Sequence, residues 1–185
     1  MSWGNDYLQL LADRAADDFR GVKVDVLGER LVITKRTDIH CWTIFRIVDA
    51  TRAAGIPEER VLSKVLIHFP EESPREPDVT ILSEGTGDEP YSHEAVLAAM
   101  EIVSTEDDES DYAIKVRQYA RFQVPTFVVV DPFKGQSTVL SRPSGESYAS
   151  QVVHAYGETI SLQLADGRTV DIPTKDFKRR STMRG

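Results

Sequence analysis

Two acidic residues and one lysine form the chemically most specific pattern in this chain. Asp78 follows Pro77 just before an apolar run, Glu101 lies near the end of a second apolar run, and Lys115 lies in a helical segment. Hydrolysis of a phosphodiester needs charge neutralisation on the phosphate and an activated water, and a hard divalent cation bound by carboxylates supplies both. A nearby lysine can stabilise the developing charge. Asp78, Glu101 and Lys115 are therefore candidate catalytic residues, and the two acids are candidate ligands of Mg²⁺ or Mn²⁺.

The helix that carries the lysine contains further polar candidates. Asp111, Lys115 and Tyr119 are spaced at i, i+4 and i+8 and are expected along one side of the helix. An acid–base pair at this spacing is also common on exposed helices that contain no site, and Tyr119 is expected to serve packing. Ser104 has two interpretations: it hydrogen-bonds Glu101, or it simply ends the strand.

These candidates must be positioned by a mixed set of helices and strands, which the apolar periodicity outlines. The predicted elements are helices over 6–19, 38–54 and 107–122, a hairpin over 22–33, strands over 61–69, 79–82 and 126–131, and three or four strands over 137–172. Propensity alone leaves 95–104 open between helix and strand. The order of elements predicts an α/β or α+β domain with a mixed sheet.

Length and composition bound the class of protein. The chain has 185 residues, of which 41% are hydrophobic, so we expect a single domain with a sizeable core. The single cysteine, Cys41, excludes an intramolecular disulfide framework and a multi-cysteine zinc site. The first ten residues lack the pattern of a signal peptide, and no apolar stretch approaches the roughly 20 residues of a spanning helix. We therefore expect a cytoplasmic protein without a membrane partner.

Charge is distributed unevenly along the chain. The net charge is −8, which by itself argues against a nucleic-acid partner. Residues 71–111 contain 14 acidic residues and one basic residue, a net charge of −13, whereas residues 112–185 contain 11 basic and six acidic residues, a net charge of +5. The acidic middle surrounds the proposed metal ligands, and the basic end is the part suited to a phosphate backbone.

The combined pattern resembles the Uma-two family of endonucleases, within the PD-(D/E)xK restriction-endonuclease-like superfamily. The matching residues are Pro77-Asp78, Glu101-Ile102-Val103-Ser104, Asp111, Lys115, Tyr119, Val124-Pro125 and Val130-Asp131, with Asp25 and Gly28 in an upstream hairpin and His40 on the following helix. The chain departs from the family at Asp25, where Glu is usual, and at Gln123, where Gly is usual. Val103 occupies the position of the superfamily's usual lysine, so the resemblance assigns that role to Lys115.

The resemblance implies a fold, a division of the chain and a set of accessory residues. The fold is a restriction-endonuclease-like core with a mixed central β-sheet flanked by helices, which makes 95–104 a strand. One domain is expected, with an N-terminal helix over 1–20, the core over 21–135 and a β-rich C-terminal extension over 136–185. The accessory candidates are Asp25, His40, Ser104, Asp111 and Tyr119.

Three functions remain open at this level. The first is a metal-dependent DNA endonuclease, whose candidate phosphate contacts are Arg117, Arg121, Lys134 and Arg142. The second is a binding or assembly module that keeps the nuclease fold without its chemistry. The third is a metal-dependent hydrolase of small phosphoesters. A homodimer would suit an enzyme that cuts both strands. The basic run 178–180 either contacts phosphates or forms a frayed tail.

Overall fold

A six-stranded mixed β-sheet forms the centre of the protein. The computed structural model describes residues 10, 11, 14, 22–27, 30–35, 37–106 and 110–180. The strands are β1 Val22–Leu27, β2 Arg30–Lys35, β3 Val61–Leu62, β4 Ile67–His68, β5 Val79–Leu82, β6 Tyr91–Ser92, β7 Val96–Ile102, β8 Thr126–Asp131, β9 Gln136–Ser144, β10 Ser147–Ala155, β11 Thr159–Gln163 and β12 Thr169–Pro173. The longer helices are α1 Asp38–Ala53 and α2 Lys115–Arg121, and a π-helical turn, Ser110–Ile114, leads into α2.

The central sheet has the order β10-β9-β8-β7-β5-β3. β7 and β8 are parallel, and the other neighbouring pairs are antiparallel. β7 and β8 are buried along their whole length, as expected for strands covered on both faces. β1 and β2 form a separate hairpin, β11 and β12 form another, and β4 pairs with β6 in parallel.

Two hydrophobic clusters cover the two faces of this sheet. Alternate residues of β7 contribute to each cluster, because successive side chains of a strand point to opposite faces. Met100 and Ile102 belong to the cluster that includes Ile47 of α1 and Ile172 of β12. Ala99 and Val103 belong to the other cluster, which includes Tyr119 of α2. By the same alternation, Glu101 lies on the face covered by α2.

Most of the predicted elements are present. The hairpin over 22–33, the strands at 79–82 and 126–131 and the helix from Asp38 are confirmed, and Thr37 caps that helix by accepting from the backbone N–H of His40 at 3.4 Å. The segment 95–104 is a strand, and four strands follow residue 135. The first two of these, β9 and β10, continue the central sheet. Of the predicted helix over 6–19, residues 10, 11 and 14 are helical and the others lie outside the described residues.

Two predicted elements differ in form from the prediction. The strand over 61–69 is instead two short strands, β3 and β4, in different sheets, because the chain turns between them with Lys64 at a φ of 61°. The helix over 107–122 has a π-helical turn before α2, and residues 107–109 lie outside the described residues. No helix in the described part of the chain is long and apolar enough to cross a membrane.

We expect Phe127→Ala to destabilise the protein strongly. Phe127 is fully buried in β8 and its ring centroid lies 4.7 Å from that of Tyr119, so truncation removes packing and leaves a cavity. The expected loss is about 3–5 kcal/mol of unfolding free energy, measured by urea denaturation. Phe45→Ala is the control, since Phe45 is 61% exposed and its loss should cost within about 0.5 kcal/mol. Equal losses for the two variants would contradict this packing.

Candidate active site

Asp78 and Glu101 lie at the same end of two neighbouring strands. Val79 of β5 pairs with Met100 of β7, and the two acids directly flank this pair, Asp78 before β5 and Glu101 within β7. Both are buried, at 0% and 1% exposure. The backbone N–H of Ile102 donates to Asp78 Oδ2 at 2.8 Å. Two residues 23 positions apart in sequence thus form one buried pair of carboxylates.

Lys115 provides positive charge at Glu101. Lys115 Nζ lies 3.0 Å from Glu101 Oε1, and both side chains are 1% exposed. Removing two ions from water is costly unless they are paired in good geometry. The structure therefore brings together the three residues predicted from the sequence, with the lysine projecting from a helix.

Helix α2 is fixed so that its buried face points Lys115 at the sheet. Gln118, one turn further along this face, donates through Nε2 to the Ser73 carbonyl at 2.8 Å and accepts from Nε of the buried Arg75. Tyr119 packs against Phe127 of β8 and belongs to the core cluster. The prediction that Tyr119 serves packing agrees with this environment.

Among the described residues, His40 and Lys64 place side-chain nitrogens at Asp78 in addition to the backbone N–H of Ile102. His40 Nε2, from α1, lies 3.0 Å from Asp78 Oδ1, and the His40 side chain is buried. Lys64 Nζ contacts the same oxygen. The Lys64 backbone N–H also donates to the Pro77 carbonyl at 3.1 Å, which fixes this residue beside Asp78. The accessory candidate His40 is therefore joined to the site through Asp78.

Lys64 is a site residue that the sequence did not reveal. It lies 14 residues before Asp78, in a segment that reads as a continuous strand, and no periodicity connects the two. Its position depends on a left-handed backbone conformation, with a φ of 61°, which is uncommon for a non-glycine residue. Only the turn between β3 and β4 brings its ammonium group to the carboxylate.

The donor chemistry of this pair fits a hard divalent cation. Carboxylate oxygens suit Mg²⁺, which retains several waters and is often bound through only one or two carboxylates. Two adjacent buried negative charges also require compensation, and the ammonium group of Lys64 already lies at Asp78. No set of three or more His, Cys, Asp or Glu side chains in the described part of the chain is arranged to hold a metal. An ion at Asp78 and Glu101 would therefore leave most coordination positions to water and phosphate oxygens.

The remaining accessory candidates lie in different environments. Asp25 is on β1 and Asp111 is in the π-helical turn, and the side chains of both lie outside the described part. The hydroxyl of Ser104 donates to the Ile102 carbonyl at 3.5 Å, and its own carbonyl accepts from Arg180. These contacts favour the interpretation that Ser104 simply ends the strand.

Three of the four candidate phosphate contacts are held by carboxylates. Arg117 Nε lies 3.4 Å from Glu146, and Arg121 Nη1 lies 2.7 Å from Glu72. Lys134 Nζ lies 3.3 Å from Asp131 Oδ2, at the end of the strand beside the Glu101 strand. The fourth candidate, Arg142, lies on β9 with a φ of 60°. Only Lys134 is thus connected to the sheet edge that bears Glu101.

Asp131 is held as a structural residue of that edge. Its Oδ1 accepts from the backbone N–H groups of Phe133 and Lys134, each at 2.9 Å. Its Oδ2 accepts from the Tyr112 hydroxyl at 2.7 Å. This carboxylate therefore stabilises the turn after β8 and connects it to the π-helical turn before α2.

We expect Lys115→Met to destabilise the protein by about 3–5 kcal/mol, because it removes the cation beside the buried Glu101. The double variant Lys115→Met/Glu101→Gln should lose less than the sum of the two single variants, with a coupling of at least about 1 kcal/mol. Urea denaturation of all four proteins measures this. Arg117→Met, two residues away and exposed, is the control. Additive losses at Lys115 and Glu101 would contradict the pair.

Comparisons with known proteins identify the family and the fold of this chain. A family model described as "Putative restriction endonuclease", that of the Uma2 (Uma-two) family, matches residues 5–173. A crystal structure titled as that of a putative nuclease belonging to DUF820, from Anabaena variabilis ATCC 29413, has the same fold, with a TM-score of 0.58 and 10% identity over 75% of this chain and 80% of that one. None of the curated proteins matches at a significant level. With a nuclease-like fold and a family match over most of its length, the chain belongs to the Uma2 family.

Proposed function

We propose that this protein is a metal-dependent endonuclease that hydrolyses DNA phosphodiester bonds. The observation that carries the proposal is the burial of Asp78 and Glu101 on either side of the Val79–Met100 pair of β5 and β7, with Lys115 Nζ 3.0 Å from Glu101. The family match supports a nuclease at a coarse level. Dependence on a metal, DNA as the substrate and the role of each residue are parts of the proposal.

Asp78 and Glu101 are the residues that would hold Mg²⁺ or Mn²⁺. When bound, such an ion neutralises charge on the scissile phosphate and lowers the pKa of a water. Lys115 orients the Glu101 carboxylate in the ground state and provides a fixed positive charge beside the phosphate as negative charge develops. His40 and the Ile102 N–H hold the Asp78 carboxylate in one orientation through Oδ1 and Oδ2.

Cleavage of supercoiled plasmid in the presence of Mg²⁺ tests the activity. We expect nicked and linear products from the wild type, and Glu101→Gln should lower the rate by at least about 100-fold, because it removes a ligand charge needed in the transition state. Glu146→Gln is the matched control, since Glu146 is exposed, and its rate should be unchanged. Wild-type cleavage that does not exceed that of Glu101→Gln would contradict the proposal. Chelation with EDTA should abolish the activity.

A second assay, with a small phosphodiester as the substrate, separates a DNA endonuclease from a hydrolase of small phosphoesters. Hydrolysis of bis(p-nitrophenyl) phosphate without plasmid cleavage would favour the small-molecule hydrolase. A DNA endonuclease should cleave the plasmid, because binding energy from the remote phosphates contributes to catalysis at the scissile bond.

One observation favours a second candidate, a binding or assembly module without catalysis. Asp78 Oδ1 already contacts both His40 and Lys64, so the negative charges of the two carboxylates are matched by two lysines within the protein. A domain with this arrangement can remain folded with no need for an ion.

Lys64→Met distinguishes the two candidates. If Asp78 binds a metal, removal of the competing ammonium should tighten Mg²⁺ binding about tenfold or more, a difference of about 1.4 kcal/mol, measured by titration calorimetry. Lys175→Met, which removes an exposed lysine that lines a different cavity beside α1, is the control and should leave Mg²⁺ binding unchanged. The absence of binding heat in both the wild type and Lys64→Met would favour the non-catalytic module.

A further inference from the structure

The segment 174–180 is fixed against the body of the protein. Thr174 is fully buried, its Oγ1 donates to the Glu158 carbonyl at 2.6 Å, and the Gly157 N–H donates to Thr174 Oγ1 at 2.9 Å. Phe177 is 7% exposed, and its ring packs edge to face on that of Tyr156, with the two ring centroids 5.4 Å apart. Thr174 and Phe177 thus anchor the chain directly before the basic run 178–180.

Arg180 lies beside the strand end that carries Glu101. Its Nη1 donates to the Ser104 carbonyl at 2.8 Å, three residues after Glu101. Its backbone N–H donates to the Pro132 carbonyl at 2.9 Å, directly after β8. Its guanidinium carbon lies 5.1 Å from the centroid of the Phe133 ring. The basic run thus ends beside the C-terminal ends of the parallel strands β7 and β8.

Arg179 packs on the turn after β8, next to Lys134. A Cβ built on Gly135, whose φ is 64°, would lie 2.3 Å from Arg179 Nε, so this glycine leaves the space that the guanidinium occupies. Burial and the Asp131 carboxylate raise the pKa of the Tyr156 hydroxyl above its ordinary range, and the Arg179 guanidinium lowers it. Asp131, Tyr156 and Arg179 are therefore close enough to interact electrostatically.

Lys178 extends the positive surface towards the helix that carries His40. Its Nζ lies 5.9 Å from the centroid of the Trp42 ring, and Trp42 is 51% exposed on α1, two residues after His40. Lys178 therefore lies beside the element that contacts Asp78, and Arg180 lies beside the one that follows Glu101. The basic run thus contacts α1 at Lys178 and the residues that follow β7 and β8 at Arg180.

The residues of the basic run differ from the predicted arginines of α2 in their pairing with carboxylates. Lys178 and Arg179 are exposed, and neither forms an ion pair with a carboxylate among the residues that the structure describes. Arg117 and Arg121, by contrast, are each paired with a glutamate. In a chain with a net charge of −8, cations beside the acidic site provide the local positive potential that a polyanion needs.

We propose that Lys178, Arg179 and Arg180, here called the basic edge, bind the phosphate backbone of DNA at the candidate active site. The inference rests on the proposed function for the identity of the polyanion. It moves the expected DNA contacts from the arginines of α2 to the C-terminal segment, of which residues 174–180 lie beyond the region matched by the family model. Phosphate contacts of this kind position DNA without reading its sequence.

The salt dependence of DNA binding tests this assignment. A short fluorescent duplex is titrated in EDTA, so that no cleavage occurs, at salt concentrations from about 50 to 200 mM. The triple variant Lys178→Ala/Arg179→Ala/Arg180→Ala should lower the magnitude of the slope of log K against log[salt] by about 2–3, since each lost phosphate contact contributes about 0.9. Affinity at the lowest salt concentration should fall at least about tenfold.

The matched control removes three positive charges outside the C-terminal segment. Arg117→Ala/Arg121→Ala/Arg142→Ala also loses three positive charges and should leave the slope nearly unchanged. Circular dichroism melts verify folding, and Lys178→Gln/Arg179→Gln, which retains the Arg180 hydrogen bonds, should still lower the slope by about 1–2.

Three outcomes would overturn the inference: an unchanged slope in the segment variants, an equal loss in the control, or tighter binding after the segment is neutralised. The last outcome would mean that the basic edge covers the site. The plasmid assay is independent of this test. Segment-dependent binding without cleavage would contradict the endonuclease only, whereas cleavage with a segment-independent slope would contradict only the basic edge.

Discussion

The structure depends on charge compensation between two buried carboxylates and the lysines beside them. Asp78 and Glu101 are almost completely inaccessible, and an isolated carboxylate in such a place would cost several kcal/mol. Lys115 and Lys64 come from separate elements, a helix and a turn, and each contacts one acid. The placement of α2 and of the turn before β4 is therefore tied to the electrostatics of the sheet edge as well as to hydrophobic packing. This constraint explains why a lysine can be 1% exposed.

The site and the supporting core are continuous. Gln118 and Tyr119 follow Lys115 on the buried face of α2, where one forms hydrogen bonds to the loop before β5 and the other packs on β8. A change in either contact would alter the direction of the ammonium group, because side chains one turn apart share a face. On the other side, His40 connects Asp78 to α1. Catalysis would thus depend on residues that hold the carboxylates in a fixed orientation more than on mobile groups.

The net charge of the sequence and the arrangement of charges in the structure lead to different expectations about binding to a polyanion. The sum of charges argues against a polyanion, and the acidic middle of the chain surrounds the candidate site. In three dimensions the C-terminal basic run returns to this site, since Phe177 is buried in the core and Arg180 bonds to the carbonyl of Ser104. A residue 79 positions after Glu101 in sequence can therefore contribute to the same electrostatic surface. Local potential, not net charge, is the relevant quantity for phosphate binding.

The sequence alone predicted a mixed α/β fold class and selected Asp78, Glu101 and Lys115 as candidates, because apolar runs and residue spacing are local properties of the chain, and the family resemblance made 95–104 a strand. It also placed His40 among the accessory residues. Only the tertiary structure decided the roles of Lys64 and Arg180. A left-handed turn brings the first to Asp78, and a buried anchor brings the second to the strand edge. Such contacts between residues that are distant in sequence follow from how elements pack, and no period or spacing in the sequence encodes them.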